Sequence, residues 1–281
     1  MTDRILLSTL AVLILASCGQ GSVSISRTVE YQYSSDSDML SYSLDVKLPK
    51  ETDEVTRTIC DTLMAILEDN MDNTYYLEDT VLIARYAGDP SDREAYFDYI
   101  SKETCEKLRE LAEAGRDEIK EYAPDVDATP WSCQAVLEPM DETDRYVIFN
   151  IYENVCYGGP HGEHMGDGAI TFSKKTGRRV IHFIEPTAVR DMQPLLKAGV
   201  LSYLKDSGET ASEDELMDML LVEDGIIPLP VNAAYPSDDG LVLTYLPYEI
   251  APYAMGMPSF TIAYDQARPY LTAEAIDLLE L

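Results

Sequence analysis

Leu40, Tyr42, Leu44, Val46 and Leu48 alternate with Ser41, Ser43, Asp45 and Lys47. That period of two predicts a strand with one buried face. Beyond Thr52, a candidate N-cap, Val55, Ile59, Leu63, Ile66 and Leu67 recur at helical spacing with Cys60 at the border of the stripe. Ser91 and Glu94 form a capping-box pattern ahead of Phe97, Ile100, Leu108, Leu111 and Ile119, which predicts one long helix or two collinear ones to about Tyr122. Pro124 and Pro130 mark a linker.

Strand patterns dominate the second half. Trp131, Cys133, Ala135 and Leu137 alternate, Asp141 to Asp144 turns, and Tyr146 to Val155 is β-rich, so a hairpin is expected. A second hairpin is expected from Ala169–Ser173 and Arg179–Ile184 about Lys174-Lys175-Thr176-Gly177. Thr187 opens a helix with Val189, Met192, Leu196 and Tyr203, and Ser212 with Glu215 repeats the capping box before Leu216, Met219 and Leu220. Ile226–Val231 and Leu241–Leu246 read as strands. The expected class is α+β: an antiparallel sheet with helices packed on one face, preceded by a smaller α+β unit. The boundaries fall at 28–125 and 129–281.

The first residues read as an address. Met1–Arg4 is followed by an apolar run from Ile5 to Ala16, whose rise of about 18 Å is too short for a hydrocarbon core of roughly 30 Å. Residues 1–17 therefore read as a signal peptide. Leu15-Ala16-Ser17-Cys18 resembles the lipobox of bacterial lipoproteins, so Cys18 is the expected lipidation site and 18–27 a tether. The expected location is the cell envelope, anchored by lipid, in the periplasm or on the surface. Cys60, Cys105, Cys133 and Cys156 remain, an even number in a compartment where disulfides persist. The expected pairs, Cys60 with Cys105 and Cys133 with Cys156, join neighbouring elements; four buried thiols are the alternative.

Charge narrows the partners. The chain has 51 Asp+Glu against 21 Lys+Arg, a formal charge of -30, which repels phosphate backbones and argues against nucleic acid. Tyr157-Gly158-Gly159-Pro160-His161-Gly162-Glu163-His164, with Asp167 following, gathers two of the three histidines beside carboxylates. The helical zinc pattern needs His-Glu-x-x-His, and Gly and Pro keep this stretch from being helical, so the preferred reading is a tight turn with a structural histidine. A metal site of His161, His164 and Asp167 or His182 is the alternative, serving a metal-dependent hydrolase. Cys156 and His161 lack an orienting group or oxyanion hole in the sequence. No nucleophile-elbow, phosphate-loop or dinucleotide signature is present. No cofactor and no catalysis are expected. The 19 Tyr against 5 Phe suit half-exposed sheet faces and binding surfaces alike.

Three stretches carry a family resemblance: Tyr157-Gly158-Gly159-x-His161-Gly162, Thr176-Gly177-Arg178, and Tyr248-Glu249-Ile250-Ala251-Pro252-Tyr253-Ala254-x-Gly256. In that order they resemble the domain-of-unknown-function family found in the extracytoplasmic part of the anti-sigma factor RsiV and in bacterial lipoproteins. The resemblance spans about Trp131 to Pro269, with Pro160 where the family commonly has Ala. It implies a noncatalytic binding module for a cationic protein such as lysozyme, or for peptidoglycan. Tyr157, Gly158, Gly159, His161, Gly162, Tyr248, Glu249 and Tyr253 are the candidate binding residues. The sigma-regulating role is not expected to transfer. A purely structural envelope lipoprotein, its acidic coat serving solubility, is the remaining reading.

Overall fold

The computed structural model describes residues 23–25, 27–73, 83–122, 129–157, 163–209 and 211–281, with the backbone alone for 119, 122 and 163–167. The expected signal peptide of residues 1–17, the expected lipidation site Cys18 and the Gly158–Gly162 segment lie outside the described residues. Contacts divide the chain into two units: 1–167 with 174–178, and 168–173 with 179–281.

The first unit is built on β1 (Thr28–Asp36), β2 (Leu40–Pro49), β3 (Trp131–Glu142), β4 (Tyr146–Cys156) and β5 (Glu163–Ser173), in the order β1-β2-β3-β4-β5. The unit division falls within β5. Leu40, Tyr42, Leu44, Val46 and Leu48 are all buried, as the alternation requires. Between β2 and β3 run α1 (Glu54–Asn73) and α2 (Arg93–Tyr122), and both pack on β2. A return through two helices brings β3 alongside β2 in the same direction, so Leu40 lies opposite Trp131 and Val46 opposite Leu137. The sheet is thus mixed, not purely antiparallel. The same pairing explains why the units do not divide at 28–125 and 129–281: β3 and β4 complete the sheet that β1 and β2 begin.

Helix entries differ from expectation by one residue each. Asp53, not Thr52, caps α1 by accepting the Thr56 N–H at 2.8 Å, and Asp92 accepts the Ala95 N–H at the head of α2, while Ser91 bonds Asp89. β1 was not evident in the pattern because neither of its faces is fully buried.

The expected disulfides are absent. Residues opposite one another in a sheet share a face and neighbours alternate; Cys133 pairs with Val155 and Ser132 with Cys156, so Cys133 and Cys156 point to opposite faces. Cys60 donates to the Pro49 carbonyl at the end of β2, and burial pushes its thiol up to about 12. Cys105 sits toward the other end of the strand: Arg109 reaches both its sulfur and Ser35, and Ser35 lies opposite Tyr42. Seven residues of strand separate those levels, roughly 23 Å.

In the second unit, a 3-10 turn (Pro186–Arg190), α3 (Gln193–Asp206) and α4 (Glu213–Met219) precede a sheet of β6 (Tyr235–Ser237), β7 (Gly240–Thr244) and β8 (Ser259–Ile262). The short helices α5 (Tyr264–Ala267) and α6 (Ala273–Leu279) follow. The Ser212–Glu215 capping box forms as read. The expected hairpin about Gly177 is reduced to a single bridge between Phe172 and Arg179. Residues 226–231 are not a strand, because side chains satisfy their backbone. Gln193 binds both the N–H and the carbonyl of Ile227, and the Tyr245 hydroxyl donates to the Pro228 carbonyl. Pro228 and Pro230 could not have completed a ladder. Among the described residues no helix is long and apolar enough to cross a membrane.

Candidate functional site

The Tyr248–Gly256 stretch forms an exposed aromatic loop on the second unit. Tyr248 adopts φ +67° and is 64% exposed. A bulky residue is uncommon in that region, and here the conformation turns the ring outward. Its ring centroid lies 5.8 Å from that of Tyr253 at a 34° tilt. Two supports hold the loop from beneath. The Glu249 carboxylate accepts the N–H groups of Leu246 (2.8 Å) and Val231 (2.7 Å), and the Tyr203 hydroxyl of α3 donates to the Met255 carbonyl at 3.0 Å. Gly256 closes the loop at φ +76°, where an added Cβ would lie 2.6 Å from the Tyr203 oxygen, so both conformation and space require glycine. Glu249, one of the expected binding residues, thus braces the backbone beneath the tyrosines.

The bond to Val231 joins this loop to a neighbouring cleft. Val231 is 81% exposed and borders an apolar cleft of about 190 Å³ between residues 181–184 and 229–234. Leu221, 58% exposed, is tied to the same loop through its N–H to the Ile250 carbonyl. Large apolar groups exposed together mark interaction surfaces more often than isolated ones do. Leu221 and Val231 escaped the sequence reading; the Pro228-Leu229-Pro230 run was the available signal that this apolar stretch does not pair as a strand.

Burial raises the Glu249 carboxyl above the usual carboxylate range, with the Leu246 and Val231 N–H bonds acting to lower it. The folded chain then holds this proton more tightly than the unfolded chain. The resulting stability is present below the unfolded carboxylate value and is lost as pH rises through the raised folded value. The advantage of wild type over Glu249→Gln should therefore shrink as pH rises above the ordinary glutamate value of about 4.3, as read from urea midpoints. A constant advantage would show that the two N–H bonds cancel the effect of burial, and one that grows with pH that they outweigh it.

The remaining expected residues are placed as follows. Tyr157 belongs to the first unit and packs edge-on against Trp131, centroids 5.1 Å apart. Gly158, Gly159, His161 and Gly162 lie outside the described residues. The backbone of His164 and Asp167 is in β5, so this stretch is extended, and their side chains are not described. His182 is exposed and its carbonyl accepts the Thr272 hydroxyl. No group of metal-ligating side chains occurs among the described residues.

Residues 184–265 match the model of a family described as "Protein of unknown function (DUF3298)". Of the three resembling stretches, only Tyr248–Gly256 falls within that match. No curated protein matches the chain. A DUF3298 family member from Bacteroides fragilis, seen in a crystal structure, is similar at a TM-score of 0.57 and 17% identity over 90% of this chain and 95% of that one. A DUF3298 family protein from Pseudomonas aeruginosa is similar at 0.55 and 10% identity over 89% and 94%. At these identities the likeness speaks for fold. The chain thus has a mixed α+β fold shared with two solved proteins of the DUF3298 family, and its residues 184–265 carry that family's sequence pattern.

Proposed function

We propose that this is a lipid-anchored protein of the cell envelope, acylated at Cys18, whose second unit is a noncatalytic module that binds a cationic protein of lysozyme type. The observation that carries the reading is the outward pair Tyr248 and Tyr253, held on a fixed base by Glu249 and Tyr203. Tyrosine faces attract Lys and Arg groups through the ring quadrupole, and tyrosine is a frequent anchor at interfaces. The surroundings favour the same partner. Glu213, Asp214, Asp218, Glu223 and Asp224 flank Leu221 in sequence, whereas residues 179–281 hold only Arg179, Arg190, Lys197, Lys205 and Arg268 as bases. Such a field steers a cation and raises its association rate.

The test is calorimetry with a lysozyme at low and moderate salt, on the wild type and on Tyr248→Ser/Tyr253→Ser. Both side chains are surface-exposed, so the variant should keep its circular dichroism. Loss of two aromatic anchors should weaken binding about 10-fold or more. No heat at either salt removes the partner class, and equal affinity of the variant removes the tyrosine face.

A further inference from the structure

The first unit is polarised in charge along its sheet, and the polarity coincides with the point where the N-terminal segment docks. Antiparallel pairing of β1 with β2 and of β3 with β4, and parallel pairing of β2 with β3, bring four points to one end of the sheet: the start of β1, the end of β2 and the β3–β4 turn with both its strand ends. Six bases collect there, Arg27, Lys50, Arg145, Lys174, Lys175 and Arg178. They are tied into one rim by backbone. The Lys50 N–H bonds the Arg27 carbonyl at 2.7 Å, and the Lys174 N–H bonds the Arg145 carbonyl at 2.8 Å. The Lys174 ammonium also caps the Thr143 carbonyl at 2.8 Å. The Lys174–Arg178 turn is seated on the head of α1 through Gly177, at φ +72°, where an added Cβ would lie 2.7 Å from the Val55 carbonyl oxygen.

Acids interleave with this rim, but several are engaged. Asp53 caps α1 and Glu51 binds Arg93, while Asp141, Asp144 and Glu54 face solvent. The far end is different. α2 runs from Arg93, bonded to Glu51 near the end of β2, toward Gly115, whose added Cβ would meet Trp131 at 3.5 Å. It therefore carries Glu113, Asp117, Glu118 and Glu121, against Arg116 and Lys120, to the end where Asp36 and Asp38 also lie, so acids outnumber bases there. Against a formal charge of -30, the rim is a local break in the acidic field.

The N-terminal segment joins the body at this rim. Glu142 accepts the Ile25 N–H at 2.7 Å and the Ser24 hydroxyl at 3.4 Å. Cys18 precedes Ser24 by six residues, a span of at most about 20 Å even when fully extended. A lipid on Cys18 thus keeps the β3–β4 corner within that distance of the bilayer. Charges act over a Debye length of about 8 to 10 Å at physiological salt, so the near end governs how the body meets the membrane.

The geometry points to a membrane-facing surface: Arg27, Lys50, Arg145, Lys174, Lys175 and Arg178 rest on the anionic phospholipid headgroups of the bilayer that holds the anchor, and the acidic end points away. This rests on the acylation of Cys18 proposed above. It orients the body, since an anchor alone would leave a strongly acidic protein repelled from anionic lipid on every side.

The full protein, purified from membranes, is weighed intact and then reconstituted into vesicles of phosphatidylcholine alone or with added phosphatidylglycerol. Amide exchange in 141–145 and 174–178 should slow several-fold on the anionic vesicles relative to the neutral ones. Lys174→Glu/Lys175→Glu/Arg178→Glu should abolish the difference, and Arg27→Glu/Lys50→Glu, on separate segments, serves if the first variant misfolds. Equal exchange on both vesicles in an acylated sample overturns the rim and leaves the anchor standing. A mass without acyl chains overturns both.

Discussion

Gly199→Leu is expected to be the most damaging single change in the second unit, costing more than about 3 kcal/mol. Gly199 lies within α3, where β8 packs against the helix. A Cβ there would lie 2.2 Å from the Phe260 ring and 2.5 Å from its attachment carbon. Phe260 is itself largely buried, its ring 6.2 Å from that of Tyr245, so it has little room to retreat. Helix propensity favours the change by only about 1 kcal/mol, so overpacking wins. The damage should reach the proposed binding face, because Tyr203, one turn further along α3, supports Met255. Hydrogen exchange should quicken in peptides covering α3 and β8, and the tyrosine-dependent binding heat should fall with it. Unchanged exchange would mean that the Phe260 ring swings aside.

That glycine illustrates what the sequence hides. A glycine in a helical pattern reads as a weak point, and only the partner strand's position turns it into a packing requirement. Regular elements with a complete periodic face were legible: β2, α1, β3 with β4, and the Ser212 capping box all follow from local pattern, since local spacing determines which face is buried. Pairing across long separations was not. Nothing near Leu40 or Trp131 announces that β2 and β3 run parallel; the expected Cys133–Cys156 disulfide failed for a like reason, since sheet register decides which way a strand cysteine points, and the Cys60–Cys105 pair failed because α1 and α2 hold the two thiols at different levels along β2. The candidate site was half legible. Tyr248, Glu249 and Tyr253 came from the motif, but the bracing role of Glu249 did not, because its carboxylate's partners, Leu246 and Val231, include one eighteen residues away. Val231 itself was read as a strand end, because side-chain capture of a backbone by Gln193 and Glu249 leaves no periodic trace.

Arg93 is the corresponding weak point of the first unit. Its side chain, 6% exposed, binds Glu51 at 2.7 Å through Nε, Asp61 at 2.6 Å and the Pro90 carbonyl at 2.5 Å. One guanidinium therefore fastens the chain after β2, the middle of α1 and the entry to α2. Burial alone would lower its pKa, and the bonds to Glu51 and Asp61 more than offset that and raise it. Removing one partner of a buried ionic group costs about 3 to 5 kcal/mol. Here Glu51 is 28% and Asp61 52% exposed, so water takes up much of the stranded charge. Arg93→Ala should accordingly cost about 2 to 3 kcal/mol. Arg93→Lys should recover less than half of that loss, since a single ammonium does not span three acceptors in the planar arrangement a guanidinium provides. The single tryptophan of the chain, Trp131, lies in the first unit, so its fluorescence in urea reports the right transition. A midpoint for Arg93→Ala unchanged from wild type would show that solvent alone satisfies Glu51, Asp61 and Pro90. Equal midpoints for Lys and Arg would show that charge, without the guanidinium's geometry, is what the junction needs.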